Sequence, residues 1–361
     1  MLAAVLLAAV LPALSGCSDV AYYWQAGMGQ LEIINRRRPI EEVLQDPRVA
    51  EGVKSKLRLI QRAQGFGVQM LALPDAGRFR YYADLRRKHV SWLVVAAEAY
   101  ALKEVKQCFL VVGCLGYRGF FDPAEAKAFA ATMTAQGYDA LVRPVVAYST
   151  LGWFDDPVLS TYIRAEDLRL VSTILHEQAH RLLFIKGDTA FNESFAAFVA
   201  EEGLRRFARA QAGQGGQGTK RLARHLARKA ERERFRRIVL KGRARLEELY
   251  KKLPPPAERA AAKARAFARL REDYQKVRES FKIMRYDRWF EQRLNNAHLV
   301  GFLHYRGRVG AFRALLARHG GDLARFFEAA RQLSLLPPAE REARLDALEE
   351  TTLAESRTSP G

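Results

Sequence analysis

The segment Leu168-Arg-Leu-Val-Ser-Thr-Ile-Leu-His176-Glu177-Gln-Ala-His180-Arg-Leu-Leu-Phe184 decides how this chain reads. Leu168, Val171, Leu175, Ala179 and Leu182 recur at helical spacing, which predicts a helix with one apolar stripe turned to a core. His176 and His180 flank that stripe. Four residues apart, their imidazoles project from one face about one turn apart, the arrangement two ligands of one zinc ion need at roughly 2.0 to 2.1 Å. Glu177 completes His-Glu-x-x-His, its carboxylate placed beside the metal to take a proton from zinc-bound water.

Lys186-Gly187-Asp188-Thr189 then reads as a helix stop, a turn and an N-cap, and the next helix carries Asn192-Glu193. A second helix folded back beside the first brings Glu193 to the histidine pair as third ligand and leaves one position for water, the gluzincin arrangement. Glu201 and Glu202, further along, are the fallback ligands. A structural zinc site normally has four protein ligands and no use for a base, whereas this pattern offers three ligands and Glu177.

The 361 residues carry 59 Lys and Arg against 40 Asp and Glu, with 49% hydrophobic residues, a globular composition with no sign of wholesale disorder. The charge is uneven. Arg205 to Arg288 holds 27 Lys and Arg against 9 Asp and Glu, so nearly all of the net +19 falls in one stretch. It reads as an inserted basic helical arm, interrupted by the flexible Gly- and Gln-rich linker Ala212 to Gly218 and broken once more at Pro254-Pro255-Pro256. Such an arm is a solvated face or a contact for anionic lipid or envelope polymer. Nucleic acid is not expected, because the aromatic interleaving of stacking platforms is sparse.

The amino terminus reads as an export signal. Met1 to Ala13 is almost entirely Ala, Leu and Val, followed by Leu14-Ser15-Gly16-Cys17. That arrangement resembles the lipobox of bacterial lipoproteins, which implies removal of residues 1–16 and lipid on Cys17. By resemblance to the sorting of lipoproteins in bacteria with two membranes, Ser18 after the cysteine implies the outer membrane, with the protein facing the periplasm. No apolar run reaches the roughly 18 to 20 residues of a spanning helix. The remaining cysteines, Cys108 and Cys114, lie in what reads as one strand, where six extended residues would hold them about 20 Å apart unless the chain bends at Gly113.

The pattern predicts a predominantly helical α+β fold with a gluzincin-like core and a small sheet beside the zinc helix. Strands are expected at Val90 to Ala97, Gln107 to Cys114 and Ala140 to Tyr148, with Arg36-Arg37-Arg38-Pro39 as a turn. The expected divisions are residues 17–204 as catalytic core, 205–288 as arm and 289–361 as helices packing on the core, with a frayed tail. The strand from Val142 to Ser149, just before the zinc helix, is the candidate to pair with an extended substrate.

Several segments carry a wider resemblance. They are Tyr22-Tyr-Trp-Gln-Ala-Gly27, Gly113-Cys-Leu-Gly-Tyr-Arg-Gly-Phe-Phe121, Tyr148-Ser-Thr-Leu-Gly-Trp-Phe-Asp-Asp-Pro157, His176 to Glu193, Phe195 to Gly203, and Asn295-Asn296-Ala297 followed by Tyr305. Through them the sequence resembles the predicted zinc aminopeptidases of Gram-negative bacteria. The resemblance implies an envelope-associated metallopeptidase with one zinc ion on His176, His180 and Glu193, Glu177 as base and a peptide substrate. Tyr305 follows the Asn295-Asn296 segment and is the candidate to stabilise the oxyanion, with Tyr148 and His304 as alternatives. No Gly-Ala-Met-Glu-Asn box of the kind that holds a substrate amine is present, so internal cleavage stands open beside amino-terminal cleavage. The competing class is an envelope-binding lipoprotein whose zinc only braces the fold.

Overall fold

The computed structural model describes residues 20–75, 79–109, 113–146, 157–211, 217–302 and 307–358. It is predominantly helical α+β, as the pattern predicts. The chain divides into two compact units, each built from three separated stretches: Met1–Pro39, Tyr81–Tyr162 and Glu231–Leu303 in one, Ile40–Arg80, Ile163–Ala230 and His304–Gly361 in the other. No described helix is long and apolar enough to cross a membrane.

All described strands belong to the first unit. Its main sheet has the order β6-β3-β7, in which β3 (Ser91–Ala97) pairs antiparallel with β6 (Arg118–Phe120) and, along its length, with β7 (Asp139–Val145). Val94 of β3 is buried against Phe120 and against Ala126 of α4 (Pro123–Ala135), while α1 (residues 20–35) sets Tyr22 against the same group. A second sheet joins β1 (Arg37–Pro39), β2 (Tyr81–Ala83) and β8 (Val158–Leu159). Residues 37–39, expected as a turn, are thus a strand, paired antiparallel with β2 because the turn is confined to Arg36.

The cysteine expectation is also corrected. Cys108 and Cys114 do not share a strand but face each other across β4 (Gln107–Phe109) and β5 (Gly113–Leu115), with Cα atoms 3.9 Å apart and a disulfide between them. Gly113 takes a φ of +72°, a conformation other residues rarely adopt, and both cysteines are exposed rather than buried.

The basic stretch forms a helical pair, α7 (Gln217–Lys251) and α8 (Pro256–Val277), the break falling at the prolines. It is not a solvated appendage. Phe235, Val239 and Leu246 of α7 and Phe267, Leu270 and Tyr274 of α8 form a core with Phe281 and with Phe290 of α9 (Asp287–Glu291). At Gly242 a Cβ would lie 2.7 Å from the Leu270 side chain, so this helix contact needs the missing methyl. The stretch 205–288 also divides between the two units at residues 230 and 231. Asn296 of α10 (Asn296–Val300) is fully buried and donates to the Glu98 and Ala99 carbonyls, and its own N–H donates to Asp139, which also pairs with Lys263.

The regular elements described in the second unit are all helices. It holds α2 (Ile40–Gln45), α3 (Glu51–Leu71), α5 (Asp167–Leu182), α6 (Thr189–Ala210), the first part of α7, α11 (Val309–Arg318), α12 (Leu323–Leu335) and α13 (Pro338–Thr358). The α5 stripe of Leu168, Val171, Leu175 and Ala179 is buried, with Leu57, Ile60 and Leu71 of α3 also in the core. α6 turns Phe191, Phe195 and Phe198 to Phe312 of α11 and Phe326 of α12, the ring centroids of Phe191 and Phe312 standing 5.3 Å apart. Gly203 allows α6 close approach: a Cβ there would sit 2.7 Å from Leu71 and 2.9 Å from Leu175. α13 buries Leu345 and Leu348, and residues 359–361 of the expected frayed tail lie outside the described residues.

One loop of the first unit depends on a carboxylate. Glu231 accepts from the backbone N–H groups of Lys282, Ile283 and Met284 at 2.7 to 3.1 Å. Burial alone would push its carboxyl up, but the three backbone donors outweigh it and hold it below the ordinary range. A depressed folded value stabilises the fold above the unfolded glutamate value of about 4.3, and that stabilisation is lost as pH falls through the folded value. Glu231→Gln is therefore expected to lower the thermal midpoint at pH 7 and to flatten its acid limb below about pH 4.3, which a Tm series from pH 7 to 3 measures.

Candidate metal centre

α5 supplies two of the converging groups. Its apolar stripe faces the core, so His176 and His180 come out half-buried at its edge, with side chains 24% and 21% exposed. Their Nε2 atoms stand 3.0 Å apart. Gln178, between them, is fully buried and donates to the Gln64 carbonyl at 3.2 Å, tying the histidine turn to α3. Gly67 makes that tie possible, since a Cβ there would lie 2.2 Å from the Gln178 side chain.

The turn between α5 and α6 supplies the third. Gly187 takes a φ of +85°, and Asp188 caps α6 by accepting from the Phe191 N–H at 2.9 Å. Asn192 is buried, and its side-chain amide closes a two-point clamp on Ile185: it accepts from the Ile185 N–H and donates to the Ile185 carbonyl, each at 2.8 Å. Glu193 follows directly. Its carboxylate reaches His176 Nε2 at 3.3 Å and His180 Nε2 at 3.4 Å. Hydrogen bonds from His176 first, then His180, hold the Glu193 carboxyl far below its usual range against the opposing effect of burial.

Two nitrogens and a carboxylate oxygen, all within 4.8 Å of one another, form the cluster of metal-ligating type among the described residues. A tetrahedral zinc at roughly 2.0 Å from each donor would separate them by about 3.3 Å, matching the spacings seen here. Two imidazole nitrogens and a carboxylate oxygen at these spacings are the donor types and number that zinc takes, so the residues fit that ion.

The predicted groups thus separate clearly. His176, His180 and Glu193 meet, and Glu177 lies half-buried on α5 between the two histidines. The fallback ligands are engaged elsewhere: Glu201 pairs with Arg205 at 2.7 Å, Arg313 at 2.8 Å and Lys229, and Glu202 pairs with Arg206 at 2.8 Å. Tyr305, His304, Tyr148 and Cys17 lie outside the described residues. The candidate substrate strand is β7, at an edge of the main sheet in the first unit, and its expected continuation through residues 147–149 also lies outside them. Sequence reading missed the Asn192 clamp, whose signal was an amide side chain in the first turn of a helix after a glycine turn.

Asn192→Ala removes both bonds to Ile185 and should cost about 1 to 3 kcal/mol, with a loss of metal affinity because Glu193 is no longer held in place. Asn192→Asp keeps the acceptor alone and should fall between. Thermal unfolding with and without added zinc, together with metal titration, measures both effects.

No curated protein and no solved structure matches the chain. A family model does, over residues 21–345, a span that includes the three converging side chains, their turn and the helices that pack on them. By that match the chain belongs to the family described as "Putative aminopeptidase", which supports a peptidase-like function.

Proposed function

We propose that the protein is a zinc-dependent peptidase, an aminopeptidase by the family's description, with one zinc ion held by His176, His180 and Glu193. The observation that carries this reading is the meeting of two imidazole Nε2 atoms and one carboxylate within 4.8 Å on either side of a glycine turn. Zinc would supply Lewis-acid activation of water and of the peptide carbonyl. The Glu177 carboxylate takes a proton from the attacking water and passes it to the departing amine, a task its place between the two histidines allows. Tyr305, in our proposal, donates a hydrogen bond to the oxyanion.

We further propose that residues 1–16 are removed on export and that Cys17 carries lipid, holding the protein at the outer membrane and facing the periplasm. This rests on the apolar leader and on Leu14-Ser15-Gly16-Cys17. The excess of Lys and Arg between residues 205 and 288 is proposed to add contact with anionic lipid or envelope polymer.

The substitutions separate into two kinds. His176→Ala and His180→Ala should lose zinc and activity together. Glu177→Gln should keep about one zinc per chain while turnover falls by roughly 10² to 10⁴ or more. Glu193→Gln should weaken zinc binding, whereas Glu201→Gln should destabilise the fold and leave the metal in place. Elemental analysis beside hydrolysis of peptides with free and blocked amino termini reads all of these. A fully active Glu177→Gln would exclude the mechanism, and zinc retained without any hydrolysis in the unsubstituted protein would favour the bracing role.

The anchor is tested separately by mass spectrometry of protein extracted from membranes. The expected amino terminus is an acylated Cys17, and an unmodified terminus elsewhere would remove the anchor from the proposal.

A further inference from the structure

Helix α1 carries an exposed face with no charge on it. Val20, Trp24, Met28 and Leu31 are 70%, 71%, 47% and 45% exposed. Steps of four, four and three residues place them on one stripe of the helix. The other exposed positions of α1 are Ala21, Gly27 and Asn35, so the whole outward arc lacks a charged side chain in a protein where 27% of residues are charged. A solvated helix face ordinarily carries the charge.

The rotation of α1 is fixed by its other side. Ile33 is buried with Ala83, Leu85 and Val90. Gly29 abuts the Phe121 ring, which a Cβ would enter at 2.1 Å. Gln25 clamps the strand below, accepting from the Phe121 N–H at 2.9 Å and donating to the Gly119 carbonyl at 3.3 Å. The apolar stripe is therefore held outward and cannot turn into the first unit.

We infer that this face lies in the lipid interface of the membrane, as an in-plane contact beside the anchor. The inference rests on the proposed lipid at Cys17 for the position of the helix. Only Ser18 and Asp19 separate Cys17 from Val20, so at about 3.5 Å per residue the start of α1 lies within about 10 Å of the acylated residue. Interfacial helices bury an apolar face about 5 to 10 Å deep, the depth this tether allows. Tryptophan suits that layer, since its ring is apolar and its indole N–H can reach headgroups or water.

The test uses the full mature chain with Cys17→Ser, which removes the lipid and leaves the face. It should bind neutral phosphatidylcholine vesicles with little dependence on salt, because apolar burial is not screened. Trp24→Glu with Leu31→Glu should weaken that binding by roughly tenfold or more while circular dichroism and Tm stay unchanged. Vesicle binding equal in the two proteins, or absent from both, would overturn the inference. So would a concentration-dependent dimer in sedimentation that the double substitution abolishes, since the face would then belong to a second copy. Mass spectrometry of the unsubstituted protein reports the anchor independently: an unmodified Cys17 together with substitution-sensitive vesicle binding would remove the anchor and support the face.

Discussion

Three lone-pair-bearing atoms from two helices must be held at contact distance, and the second unit is arranged around that demand. Imidazole nitrogens 3.0 Å apart beside a carboxylate do not gather without constraint. The constraint is the turn from Leu183 to Asp188, closed by the Asn192 side chain on the Ile185 backbone and started afresh by the Asp188 cap. Both bonds are local, so they place Glu193 relative to α5 without relying on distant packing. The packing then makes the placement rigid. Gly67 and Gly203 let α3, α5 and α6 approach more closely than any side chain would permit at those two positions.

Around this arrangement, buried charges are used as fasteners. Arg308 is 6% exposed and its guanidinium meets Glu342, Asp346 and Glu349 of α13, while its backbone N–H donates to Ser194 of α6 at 3.0 Å. Burial would lower its affinity for a proton, but the surrounding carboxylates outweigh that and raise it above the usual arginine range. Arg341 likewise pairs with Asp188, the residue that caps α6. A buried arginine is tolerated only when its donors find acceptors. The pairs therefore tie α13 to the start of α6, beside the turn that precedes Glu193.

The centre was legible because helical periodicity and the four-residue histidine spacing are strong signals. Leu168, Val171, Leu175 and Ala179 fall on the buried face as their spacing requires. The Asn192 clamp has no period and could not be read that way. The reversal between Cys108 and Cys114 was hidden by an uninterrupted apolar run, with Gly113 the sole mark of a turn. The basic stretch was misjudged for a third reason. Its core side chains, Phe235, Val239, Leu246, Phe267, Leu270 and Tyr274, are thinly spread among Lys and Arg, so average polarity masked a buried stripe. Fold class survived these errors because it depends on the helices, whose start and stop signals were clear.

The interleaved path of the chain has a consequence for synthesis. Each unit takes a segment from the last third of the sequence. The phenylalanine face of α6 is covered by Phe312 and Phe326, which lie beyond residue 304. Neither unit can therefore close as the chain emerges, and contacts of large sequence separation must wait for the carboxy terminus. Such a polypeptide stays open until it is complete. Maturation becomes a single late event, and chains cut short of α11 would display an aromatic helix face to proteases rather than a half-working enzyme.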